Sequence, residues 1–161
     1  MSPNEALLHH FYKSFQKRDF TGMQSCYADE AHFSDPVFQN LNAAELKAMW
    51  EMLCLRGKDL QLSYNIITAN ESEGAAFWTA HYTFSQTGKK VINRITSRFQ
   101  FSAGKIKNQV DDFSFYKWAR QALGTPGLLL GWTPFLKNKV RKSAMISLHK
   151  FMQAKPSALT V

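Results

Sequence analysis

After Asp112 this 161-residue chain contains no aspartate or glutamate. All twelve acids lie in residues 1–112, where twelve lysines and arginines balance them. The rest carries Lys117, Arg120, Lys137, Lys139, Arg141, Lys142, Lys150 and Lys155, so the formal net charge of +8 belongs to one segment. Long apolar runs are also missing. Leu128-Leu129-Leu130 is the longest aliphatic stretch, far short of the roughly 20 residues of a membrane span. The first ten residues hold Glu5 and no basic stretch followed by an apolar one, so no secretory signal is expected. Cysteine is scarce: Cys26 and Cys54 read as free, buried thiols on helices, which suits a reducing compartment and a cytoplasmic protein. There is no Gly-rich phosphate loop and no serine nucleophile elbow. His9, His10, His32 and His149 lack the spacing to carboxylates or thiols that a metal site needs. Neither a metal nor a cofactor is expected.

What is present is the composition of a globular domain, 45% hydrophobic and 20% charged, which separates it from disordered chains. The length suits a single domain over 1–161, with a core at about 5–123 and a helical extension at about 124–155. Helical spacing of Leu7, Leu8, Phe11, Tyr12 and Phe15 predicts a helix over Asn4–Lys17 with Asn4 as its cap. Asp19 opens a second over Phe20–Tyr27. Residues Ala28–Val37 read as extended, ended by Pro36. Asn42 and Glu45 resemble a capping box for a helix over Asn42–Leu55. Strands are expected at Leu60–Ala69, Ala75–Ser85, Lys89–Ser102 and Lys105–Phe115, with turns at Gln86-Thr87-Gly88 and Ala103-Gly104. A helix over Phe115–Leu123 is stopped by Gly124, Pro126 and Gly127, and a last helix covers Pro134–Met152. Helices first and strands later predict an α+β fold: a curved, mostly antiparallel sheet wrapped around the N-terminal helices, a cone with a ligand cavity.

Alternation in the strands carries the chemistry. Val91, Ile95, Ser97, Phe99 and Phe101 share one face; Arg94, Thr96, Arg98 and Gln100 share the other. In the next strand Gln109, Asp111, Phe113 and Phe115 face one way. An acid among aromatics is either a paired core residue, here with Arg94, Arg98 or a tyrosine, or a site. Asp35 is either a turn residue before Pro36 or a second site acid. Trp78, Tyr82 and Phe84 read as pocket wall or plain core, Trp50 on the third helix is a further candidate for the pocket, and His81 falls on the far face. In the last helix Leu136, Val140, Ala144, Leu148 and Met152 recur every fourth residue amid lysines. Two uses suit that stripe: docking on its own domain with the basic face in water, or attachment to an anionic membrane helped by Leu128–Leu130 and Trp132. Nucleic acid is not expected, since no reading motif accompanies the charge.

Several motifs resemble the SnoaL-like branch of the nuclear transport factor two superfamily, which includes ketosteroid isomerase, scytalone dehydratase and limonene epoxide hydrolase and has a cystatin-like fold. They are Phe11-Tyr12, Asp19, Tyr27-Ala28-Asp29-Glu30-Ala31 leading to Phe33-Ser34-Asp35-Pro36, the strand pair around Thr87-Gly88, Gly104-Lys105-Ile106, and Asp111-Asp112-Phe113. Trp118-Ala119-Arg120-Gln121-Ala122-Leu123-Gly124 with Gly131-Trp132-Thr133-Pro134 resembles a bacterial subgroup. The resemblance implies that Tyr12 matches an oxyanion-hole tyrosine and Asp35 a general base. Ser97 stands where ketosteroid isomerase has a protonated aspartate, a stronger donor. Asp111 matches the proton-transferring acid of SnoaL-type cyclases, and Gln109 stands where many members have histidine. The resemblance thus implies cofactor-free proton transfer on an apolar, ring-bearing ligand, or a binding or assembly module without catalysis. In either case a homodimer formed across the outer face of the sheet is expected.

Overall fold

The computed structural model describes residues 1–155. It is an α+β cone: a curved five-stranded sheet wraps helices on its inner side. Helix α1 spans Pro3–Gln16. Its cap is Ser2, whose hydroxyl accepts from Glu5 N at 3.0 Å, not Asn4 as the sequence suggests. Proline at the first helical position moves the start forward. Asn4 lies inside the helix, buried, with its amide donating to the carbonyls of Asn70 and Glu71.

Helix α2 is short, Phe20–Gln24, and Asp19 caps it as expected. Tyr27 does not end this helix. It opens strand β1, Tyr27–Ser34, and Cys26 sits in the turn between them, not on a helix. Asn42 and Glu45 close both halves of the capping box on α3, Ala43–Arg56. Strands β2 Gln61–Ala69, β3 Glu73–Phe84, β4 Lys89–Ser102 and β5 Lys105–Asp112 follow. The sheet order is β1-β5-β4-β3-β2, with β1 parallel to β5 and the other pairs antiparallel. Ala103 and Gly104 both have positive φ at the β4–β5 turn, which matches the twist of a tight hairpin.

Strand β4 alternates along its whole length. Val91, Asn93, Ile95, Ser97, Phe99 and Phe101 are buried, whereas Arg94, Thr96, Arg98 and Gln100 are exposed. Against the inner face pack Phe11, Tyr12 and Phe15 of α1 and Met49 and Trp50 of α3. Edge-on contacts among Phe11, Phe15, Trp50 and Trp78 make this core mainly aromatic.

Three helices follow the sheet. Helix α4 covers Phe115–Leu123, as the sequence predicts. The segment expected to be a simple stop forms helix α5, Thr125–Leu130, in which Pro126 occupies the first turn, where its missing N–H costs nothing. Helix α6 runs Pro134–Ala154. Its Leu136 and Leu148 are buried, and Val140, Ala144 and Met152 are partly buried against the core. Arg141 Nε donates to the Pro36 carbonyl at 2.9 Å, His149 meets Glu45 at 3.1 Å, and Lys155 pairs with Glu51. The stripe therefore docks at home. Among the described residues no helix is long and apolar enough to cross a membrane.

Candidate active site

A cavity of about 250 Å³ lies between the sheet, α3 and α6. Phe15, Met49 and Trp50 wall it from the helices, and Trp78, Ala80 and Ile95 from the sheet. Val140, Ser143, Ala144 and Ser147 close it from α6. Its polar lining includes Asp35, Asp111, Tyr82 and Asn93.

Asp111 is the end point of two hydrogen-bond chains. Trp78 Nε1 donates to Ser97 Oγ at 2.8 Å, and that hydroxyl donates to Asp111 Oδ1 at 2.6 Å. Trp50 Nε1 donates to Tyr27 Oη at 2.8 Å, Tyr27 donates to Gln109 Oε1 at 2.5 Å, and Gln109 Nε2 donates to Asp111 Oδ1 at 3.0 Å. An indole N–H can only donate, so each chain has a fixed direction. Oδ1 is held as an acceptor by both, and Oδ2 has no hydrogen-bond partner among the described residues. Burial pushes this carboxyl up to about 6, against the donors Ser97 and Gln109, which favour its charged form. Arg94 and Arg98 lie on the other face of the sheet, so the pairing with arginine considered from sequence is not made.

Asp35 follows the end of β1 and makes an Asx turn. Its Oδ1 accepts from Val37 N at 2.7 Å and Phe38 N at 2.6 Å. The turn reading is met, since the backbone holds one oxygen, and the residue also lines the cavity. Burial raises its carboxyl to about 7, opposed first by the Phe38 and Val37 amides. The Asp111 charge raises it further, and Arg141 on α6 pulls it down. Across the cavity, Trp118 Nε1 donates to Tyr82 Oη at 2.9 Å, which leaves the tyrosine proton free for a ligand.

Of the residues singled out in the sequence, Asp35, Asp111, Trp50, Trp78, Tyr82 and Phe113 line this cavity. Tyr12, Ser97 and Gln109 are not part of its lining, which corrects the expectation that all of these residues face one cavity. Ser97 and Gln109 are fully buried one layer behind, their polar atoms spent on Asp111 and its chains. Tyr12 is also fully buried, stacked on Tyr64 with centroids 4.9 Å apart, and its hydroxyl has no hydrogen-bond partner. Asn93, Trp118 and the α6 residues line the cavity although the sequence does not assign them to it. Asn93 is legible, since it shares the period-two face of Val91 and Ile95. The α6 residues are not, because periodicity says which face is apolar but not what it covers. Among the described residues no three His, Cys, Asp or Glu side chains gather to hold a metal ion.

A curved sheet wrapped around N-terminal helices is the fold shared with solved nuclear transport factor two-like proteins. The profile of the SnoaL-like domain matches residues 8–109, and the chain belongs to that family. Similar solved structures include a nuclear transport factor two-like protein of unknown function from Burkholderia pseudomallei. It is 18% identical with a TM-score of 0.66, over 75% of this chain and 98% of that one. A candidate polyketide cyclase from Xanthomonas campestris pv. campestris is 17% identical, TM-score 0.64, over 74% and 96%. An LEH-like epoxide hydrolase of M. tuberculosis is 15% identical, TM-score 0.57, over 83% and 95%. At these identities the likeness is one of fold. No curated protein matches the chain.

Proposed function

We propose that this protein is a cofactor-free proton-transfer enzyme acting on a compact, apolar, ring-bearing molecule, with Asp111 as the base. The observation that carries this reading is the convergence of two one-way hydrogen-bond chains on Asp111 Oδ1 beside an apolar cavity. A purely structural buried acid is expected to have both oxygens satisfied. Here one is held and the other is left for a ligand. Desolvation gives the carboxylate a basicity suited to work near neutral pH.

The chemistry derives from the positions. Asp111 Oδ2 removes a proton from carbon next to a carbonyl, and the electron pair of the broken C–H bond moves onto the carbonyl oxygen. Tyr82 Oη–H and a protonated Asp35 are the donors available to that oxyanion. Two acids whose surroundings hold them at about 6 and about 7 share a window in which one is base and the other acid. Return of the proton to another carbon gives isomerisation, and loss of a leaving group gives dehydration. The cyclase and epoxide hydrolase among the similar structures agree with acid–base work of this kind.

The test is carbon-bound hydrogen exchange in D2O, monitored by NMR on a panel of small cyclic ketones and diketones. Enzyme-dependent exchange that Asp111→Asn abolishes supports the reading. Exchange that is identical in wild type and Asp111→Asn would sink it. Tight binding of the same molecules with no exchange at all would assign the cavity to ligand binding without catalysis, the second reading of this fold.

A further inference from the structure

Helix α5 turns its leucines away from the protein and its glycine toward it. Gly127 is buried against α4, where a Cβ would run into the Ala119 carbonyl. Gly131 packs on Tyr116 and Ala119 of the same helix. This close approach leaves Leu128, Leu129 and Leu130 facing water, joined by Trp132 and Phe135. Leu129 is 63% exposed, Phe135 70% and Trp132 74%. Exposed large apolar residues usually lie singly, and a contiguous group marks an interaction site.

The corner that carries them is locked. Thr133 donates to the Leu130 carbonyl through both N and Oγ1, at 2.9 and 2.6 Å. The Trp132 indole donates to the Leu129 carbonyl at 3.1 Å, and the Thr133 hydroxyl caps α6. The apolar group is thus a fixed protrusion and not a groove. The two helices that flank it in sequence carry Lys117 and Arg120 (α4) and Lys139 and Lys142 (α6), all exposed and without a carboxylate partner among the described residues. Phe135, Lys139 and Lys142 fall four and three residues apart, on one helical face. A second copy meeting this patch would bring like charges together, whereas an anionic surface is complementary to it.

We propose that α5, Trp132 and the first turn of α6 form a docking surface for an anionic lipid bilayer. The leucines, Trp132 and Phe135 enter the boundary between headgroups and acyl chains, and the four cations meet lipid phosphates. Helices α4 and α6 also wall the cavity, through Trp118, Leu123, Val140 and Ala144. Docking therefore places the membrane beside two helices that also bound the cavity. The inference stands apart from the catalytic reading, since it concerns the opposite side of the same helices.

Vesicle co-sedimentation of the full chain tests it, with phosphatidylcholine alone and with about 30% phosphatidylserine. Two variants are compared with wild type: Leu129→Ser/Trp132→Ser/Phe135→Ser and Lys139→Glu/Lys142→Glu. All five side chains are exposed, and the one hydrogen bond lost, from Trp132 to the Leu129 carbonyl, is at the surface while the Thr133 bonds to Leu130 stay, so both variants should melt close to wild type. The expected result is binding at least about tenfold stronger to the anionic vesicles, reduced about tenfold in either variant. Absence of binding to anionic vesicles overturns the proposal. So does binding that the triple variant leaves unchanged, or a wild-type dimer that the triple variant turns into monomer without any vesicle binding.

Discussion

Ser97 stands directly opposite Asp111 in the β4–β5 ladder, and its hydroxyl donates to Asp111 Oδ1 at 2.6 Å. The same hydroxyl accepts from Trp78, so one small residue joins a cavity wall to the buried acid. Ser97→Ala removes the largest influence holding the Asp111 carboxyl down and leaves the Trp78 indole N–H unpaired. The carboxyl should titrate at higher pH by NMR, and stability should fall by about 1–3 kcal/mol in urea melts. An Asp111 titration unmoved by this change would show that the hydrogen bond does not set its basicity.

Two tyrosines in the same core should respond in opposite ways. Tyr27 links Trp50 to Gln109, and Tyr27→Phe leaves a buried donor and a buried acceptor unmet. Its cost should be about 2–4 kcal/mol. Tyr12 Oη has no partner, so Tyr12→Phe should be neutral or stabilising. Equal losses for the two variants in denaturant unfolding would contradict this assignment.

Stability should fall as pH rises from about 4 to about 7. Asp111 and Asp35 titrate near 6 and 7 in the folded chain, above the ordinary 3.8. In that window the folded state therefore binds more protons than the unfolded state, and protonation favours folding. The stabilisation is complete below the ordinary value and is lost as pH passes through the folded values. The change should amount to a few kcal/mol in total, with the two acids titrating as a coupled pair. Asp35→Asn/Asp111→Asn should flatten the slope, as read from melting curves across this range. Stability rising with pH in wild type would refute it.

Truncation before Pro134 should lower the melting temperature by roughly 10 °C or more. It strips the cover from the cavity and removes the buried Leu136 and Leu148, each worth about 1.5–3 kcal/mol. An unchanged melting temperature by calorimetry would show that α6 contributes little to the fold.

We expect a homodimer through the outer face of the sheet, where Phe77 and Ile92 are exposed among Arg94 and Arg98. Those two apolar side chains give a two-fold contact something to bury. Phe77→Ser/Ile92→Ser should then sediment as a monomer at concentrations where wild type is a dimer. A monomeric wild type at micromolar concentration would end this expectation.

Particular residues show where sequence reasoning succeeds and where it stops. The inward face of β4 and the place of Asp111 can be read because strand alternation is local. Asn42 and Glu45 can be read because a capping box spans only four residues. Local spacing puts Tyr27 at the end of α2, so its bridge from Trp50 to Gln109, 82 positions away, is out of reach. Gly127 reads as a break by composition, yet its role is contact: α5 lies too close to α4 for any side chain at that point. Local pattern gives the faces of elements, and only the packed chain shows which faces meet.

The one-way chains ending on Asp111 Oδ1 also bear on handedness. If Asp111 is the base proposed above, the two hydrogen bonds on Oδ1 leave Oδ2 as the oxygen that would pass a proton, from the side of the cavity on which it lies. A bound planar carbanion would then receive its proton on one face alone. From a prochiral substrate such an arrangement yields one enantiomer, chosen by the tilt that Ser97 and Gln109 impose on a single carboxylate.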